Sequence, residues 1–165
     1  MFADIETGLD VLWRASFKKN NAFKENLAYF VRGGLLILPN HQNTCCSARL
    51  SALQVTVCDN ELFVRFKDEW LEVFAIIHTH PERYTLPMPS PGKDYQFCYT
   101  GIHNYVMDRW NLYDAYKDSN GNECYRRLGS RTDYATLPFP IRRYPIERTQ
   151  PSLDSQVFVL VSSKQ

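Results

Sequence analysis

The chain has no apolar run near the ~18 residues that a membrane-spanning helix needs, which argues against a partner membrane crossed in that way. It has almost no net charge, +1 at neutral pH, so bulk electrostatics makes no case for nucleic acid or an anionic membrane surface. Met1 to Lys19 lacks the basic start and apolar run of a secretory leader. A cytoplasmic location is therefore expected, although a signal-independent secretion route would leave no such mark. No C-x-x-C pair occurs, and the five cysteines (45, 46, 58, 98, 124) are odd in number, which speaks against a structural zinc knuckle. Adjacent Cys45 and Cys46 would bridge only with strain. Free or buried thiols in a reducing compartment are the expectation. There is no internal repeat and no low-complexity tract.

What remains is ordinary globular material. The 165 residues, 44% hydrophobic and 22% charged, suffice for one domain with a real core. Leu9, Leu12, Trp13 and Phe17 recur at helical spacing and predict a helix over 3–19, with Asp4 able to cap its start. Residues 25–38 read as strand, bent at Gly33-Gly34. Residues 53–58 and 61–66 read as a hairpin turning at Asp59-Asn60. Residues 71–80 are apolar on both faces, the mark of a strand covered on both sides. Four prolines (81, 87, 89, 91) exclude regular structure from Pro81 to Gly92. A short helix is expected from Lys93 to about Tyr99, ended by Gly101, then a two-strand meander over 104–107 and 112–116 with a turn at Asp118–Asn122. Residues 129–155 are proline-rich and irregular, and Val157–Val161 reads as a closing strand. Six arginines (126, 127, 131, 142, 143, 148) against Asp133 and Glu147 mark either a solvated face or a surface for an anionic partner. The sum is a single α/β or α+β domain.

The chemistry concentrates in Ile77-His78-Thr79-His80-Pro81 and in the Ser90 and Asp94 that follow. Residues two apart on a strand share a face. His78 and His80 then project side by side and can reach one ion at the ~2.0–2.1 Å that zinc requires. Asp94, near the start of the next element, would complete a His-His-Asp set. Three protein ligands leave a fourth position for water, the pattern of a catalytic rather than a structural zinc site. A further carboxylate is then needed as general base. A nucleobase deaminase is disfavoured: His80-Pro81-Glu82 fits its H-x-E half, but the P-C-x-x-C segment that supplies two thiolates is missing. A thiol nucleophile, Cys58 or Cys98 with His103, has no base beside it in sequence.

This pattern resembles the JAMM (MPN-fold) metalloproteases, whose signature is an upstream Glu, then H-x-H-P, a loop, and S-x-x-D. The residues that match are Glu25, His78-Thr79-His80-Pro81, Ser90 and Asp94. Gly101-Ile102-His103-Asn104-Tyr105-Val106 is similar to a G-x-x-N-Y-V segment in a bacterial, toxin-associated branch of that family. The likeness covers roughly residues 5 to 117. It departs in having three residues between Ser90 and Asp94, where the family has two. Of the other upstream acids, Glu61 and Glu69 lie in or beside turns and Glu72 lies about 20 Å from His78 along the strand.

The resemblance implies an MPN/cytidine-deaminase-like fold, α/β, with a mixed central sheet flanked by helices. It implies a JAMM-like catalytic domain, expected over 1–128; composition marks 129–165 as a proline- and arginine-rich extension ending in a strand. It also implies a zinc-dependent hydrolase of peptide or isopeptide bonds: His78, His80 and Asp94 hold the metal, Glu25 is the base, and Ser90 helps to hold the tetrahedral intermediate. A protein or peptide is the implied substrate, with a dedicated partner or immunity protein possible and no nucleic acid or membrane. The alternatives are a catalytically silent MPN-like binding module, or the same domain acting as a delivered toxin or a phage-tail or cell-wall peptidase.

Overall fold

The structure is a computed structural model, and it describes residues 1–17, 23–38, 43–44, 48, 54–81 and 89–137. Helix α1 spans Ile5–Arg14 and buries Ile5, Leu9 and Leu12 along one stripe. It is shorter than the expected 3–19. Its last turn tightens as Ser16 N–H reaches the Trp13 carbonyl and Phe17 N–H the Arg14 carbonyl, both three residues back. Asp4 stands at the N-cap but makes no side-chain cap bond. Its carboxylate accepts the Thr7 hydroxyl instead.

Among the described residues eight strands form one mixed sheet in the order β2-β1-β5-β6-β7-β8, with β3 and β4 branching from β5. β1 (Leu27–Val31) and β2 (Gly34–Ile37) are a hairpin. So are β3 (Val55–Cys58) and β4 (Glu61–Phe66). Their turn residues Asp59 and Asn60 both sit at positive φ, 50° and 63°. That is the geometry of a tight hairpin loop and the reason short polar residues occupy it.

β5 (Glu69–Thr79) is the spine, with its first part paired to β4 and its second to β1. The register steps from Phe30↔Ala75 to Val31↔Val73, a bulge at Phe74 where the strand changes partners. On its other edge β6 (His103–Met107) runs parallel, the one parallel pairing among the described residues. β7 (Asn111–Lys117) and β8 (Glu123–Ser130) follow antiparallel.

Both faces of the sheet are covered. Leu9 and Leu12 pack on Phe30, Leu35, Ile77, Tyr105 and Met107 on one side. Tyr29, Leu36, Val64, Ile76, Phe97 and Ile102 form a second cluster. β5 feeds both, through Ile77 and Ile76, which accounts for its unbroken apolar run. The result is a single domain of α/β type with a mixed, mostly antiparallel sheet.

Two further stretches differ from expectation. The helix expected over 93–99 is two 3-10 turns, Lys93–Tyr95 and Cys98–Thr100. Phe97 between them takes a left-handed conformation, φ 66°, and buries its ring in the second cluster. Burial of one aromatic ring outweighs the local cost of that backbone, which is of order 1–3 kcal/mol. The second is β8 (Glu123–Ser130), which runs into the stretch expected to be irregular from 129 on, and beyond it Tyr134 and Leu137 join the α1-side core. The expected closing strand over 157–161 lies outside the described residues.

Candidate metal centre

The site begins at the C-terminal end of β5. His78 lies opposite Leu27 on one edge and Val106 on the other, and the His80 amide continues the ladder by donating to the Met107 carbonyl at 2.8 Å. His78 is therefore carried on backbone fixed from both sides and His80 on backbone held to the end of β6, and each residue is only 4% exposed. Their Nε2 atoms stand 3.1 Å apart. Asp94, brought in by the Lys93–Tyr95 turn, sets Oδ1 3.2 Å from His78 Nε2 and Oδ2 3.5 Å from His80 Nε2. The Ser90 amide holds that same Oδ2 at 2.6 Å, so Ser90 serves the site through its main chain.

Glu25 arrives by register. The antiparallel pairing Leu27↔His78 sets Asn26 against Thr79 one step on, where the Thr79 amide donates to the Asn26 carbonyl at 2.9 Å. The next step sets Glu25 against His80, and Glu25 Oε1 is 3.9 Å from His80 Nε2. Its other oxygen accepts the Ala48 amide at 2.9 Å. A buried polar network secures this corner: Thr79 Oγ1 accepts the Asn26 amide at 2.9 Å and lies 2.7 Å from Ser16 Oγ. Sequence reasoning missed this network. The residue between the two histidines faces away from them and fastens the end of α1 and the entry to β1.

Burial and charge act against each other here. Burial raises Glu25 to about 7; the charge of His78 opposes this and that of Asp94 assists it. Burial lowers His80 to about 4, with the charge of His78 adding to the effect. Burial also disfavours charge on His78, but the Asp94 carboxylate, together with Glu25 and the Asn104 oxygen, outweighs it and raises the imidazole above its usual range. Asp94 is the complement: burial raises it, and the charge and hydrogen bond of His78 bring it below the usual carboxylate range.

Two imidazole nitrogens and a carboxylate thus converge within 3.1–3.5 Å of one another. Four-coordinate ligands at ~2.0–2.1 Å from an ion stand about 3.3–3.4 Å apart. His78, His80 and Asp94 form a buried group that could hold a metal ion. The donor set fits, because at 3.1 Å two Nε2 atoms can share no more than one proton and any further positive charge must come from elsewhere.

The other sequence candidates fall elsewhere. Cys98 is buried with Sγ against the Ala115 carbonyl, and burial pushes its thiol up to about 11. His103 Nδ1 is engaged by Asp114 at 2.6 Å. Three of the six arginines are described, and the fold engages each. Arg126 pairs with buried Asp114, Arg127 Nε donates to Asn111 Oδ1, and Arg131 lies over the Trp13 ring. Arg142, Arg143 and Arg148 lie outside the described residues. No helix among the described residues is long and apolar enough to cross a membrane. Comparison with models of known protein families, with curated proteins and with solved structures finds no match to this chain.

Proposed function

We propose that the chain is a zinc-dependent hydrolase of peptide or isopeptide bonds, on an MPN-type fold of the JAMM family. His78, His80 and Asp94 serve as ligands and Glu25 as general base. The observation that carries this reading is the convergence of two imidazoles and a carboxylate with a second buried carboxylate, Glu25, 3.9 Å from His80. A carboxylate that close to the ligand set would be within reach of a water on the ion and could take and return its proton. The motif likeness in Glu25, His78-Thr79-His80-Pro81, Ser90 and Asp94 supports the same assignment.

Zinc bound there would polarise a carbonyl and lower the pKa of a water toward ~7. The protein's own share is positioning and proton transfer. Glu25 takes a proton from the attacking water and passes it to the departing amine as the carbon–nitrogen bond breaks. Asp94, fixed by the Ser90 amide, keeps two ring nitrogens aimed at one point. The buried setting of these groups strengthens each of these interactions relative to water. Mixed nitrogen and oxygen donors, three in number with an open position, match zinc in hydrolases better than the closed four-ligand sites of structural zinc. A protein or peptide is the proposed substrate.

Elemental analysis of protein purified without added metal tests this, beside the His78→Ala/His80→Ala double variant. About one zinc per chain, lost in the variant, is expected. Glu25→Gln should keep the metal and lose hydrolysis in a peptide and isopeptide screen. Absence of zinc from both folded proteins would sink the assignment.

A further inference from the structure

His78 and His80 differ in what lies behind them. His78 Nδ1 is 3.1 Å from the side-chain oxygen of Asn104. His80 Nδ1 is buried and has no hydrogen-bond partner among the described residues. Asn104 stands on β6, level with Ile76 of β5, and is itself buried at 5% exposure. Its amide nitrogen donates to the main-chain carbonyl of Asp94 at 2.8 Å.

That second bond decides the first. A carbonyl only accepts, so the end of the Asn104 side chain facing Asp94 is the NH2 group, and the end facing His78 is the oxygen. An amide oxygen also only accepts, so His78 Nδ1 carries the hydrogen. A neutral His78 then has its lone pair on Nε2, the atom 3.1 Å from His80 Nε2 and 3.2 Å from Asp94 Oδ1. One side chain settles the tautomer of one ligand and the position of the backbone that carries another. The second task is separate from the first, because Asp94 reaches the site on a crossover turn and not on a strand of the sheet.

We infer that Asn104 is the positioning residue of this metal centre, presenting His78 Nε2 as a ligand and anchoring the Asp94 turn to β6. It acts through His78 and Asp94 and does not touch the reacting groups. The inference rests on the metal reading proposed above. Residues that hold a ligating imidazole by its far nitrogen are typically worth about 10–100-fold in metal affinity.

The test compares wild type, Asn104→Ala and Asn104→Asp in zinc affinity, by chelator competition, and in the long-range 1H–15N spectra of the imidazoles. Asn104→Ala should bind zinc about 10–100-fold more weakly while folded, with the His78 ring pattern changed and that of His80 kept. Asn104→Asp still accepts from His78 Nδ1 but cannot donate to the Asp94 carbonyl. It should retain the His78 ring pattern and recover part of the affinity, and it serves as the variant to read if Asn104→Ala fails to fold. Wild-type affinity and an unchanged His78 pattern in folded Asn104→Ala would overturn the inference, as would loss of the His78 pattern in Asn104→Asp. If wild type takes up no zinc, the proposed function fails. The ring spectra of the metal-free protein at alkaline pH then judge Asn104 alone: a proton held on His78 Nδ1 and released in Asn104→Ala supports it, and identical spectra refute it.

Discussion

Two carboxylates face the same imidazole pair, and their surroundings drive them apart. His78 donates to Asp94 and keeps it ionised, whereas Glu25, farther from the positive charge and beside Asp94, is raised to about 7 by burial. Near pH 6 the metal-free protein therefore holds a proton on Glu25 and another on His78. A divalent cation favours the carboxylate form of one and the neutral form of the other, so both protons leave as metal binds. Calorimetric titration with zinc at about pH 6, in buffers of different ionisation heat, should show proton release that is smaller in Glu25→Gln; equal release would mean that Glu25 is not the titrating group. Cys98 offers a contrasting case. Its thiol is pushed up to about 11, so little thiolate exists at pH 8 and iodoacetamide should label it only after unfolding. Rapid labelling of Cys98 itself in the native protein, located in its peptide by mass spectrometry, would contradict that.

At the scale of elements, the N-terminus is joined to the sheet through Gly34. This residue takes φ +133°, and a Cβ built there would lie 1.9 Å from the Phe2 carbonyl oxygen. Phe2 and Leu35 exchange backbone hydrogen bonds at 2.8 and 2.9 Å across that point, which holds the start of α1 against β2. Gly34→Ala must break this bridge or strain the turn, so a loss of at least about 1–3 kcal/mol is expected in urea unfolding. A midpoint equal to wild type would show that the approach of Phe2 is dispensable.

The same scale explains what could be read in advance. The hairpin at Asp59-Asn60 was legible because its turn chemistry is local, and β5 because its apolar run is long. The bulge at Phe74 was not, since it arises where β5 exchanges one neighbour for another. β8 was hidden because a strand with mostly exposed residues shows no apolar alternation; its ladder to β7 and the Arg126–Asp114 pair hold it. The failed helix over 93–99 was a tertiary effect, the burial of Phe97. The histidine pair and Asp94 were legible as residue types at a suggestive spacing. That Asn104 and Thr79 brace them was not, because both depend on contacts between distant segments.

Across the whole molecule the site joins three separate parts of the chain. His78 and His80 end the central strand, Asp94 rides on the crossover that leads to the parallel strand β6, and Glu25 precedes β1. A parallel pair needs such a crossover, and here much of it is short turns rather than a packed helix. An ion held by both His ligands and Asp94 would fasten the crossover to the sheet, and unfolding would release it. Binding to the folded state alone stabilises by about 2.7 kcal/mol when free metal is a hundred times its Kd. For a chain of this length each kcal/mol moves Tm by ~2–4 °C, so zinc against EDTA should raise Tm by roughly 5–10 °C. The shift should vanish in His78→Ala/His80→Ala and in Asp94→Ala. Glu25→Gln should retain it, since Glu25 is assigned to proton transfer and not to ligation. A shift that survived loss of both histidines would place the metal elsewhere, and a shift lost in Glu25→Gln would make Glu25 a ligand and leave the proposed base without a residue.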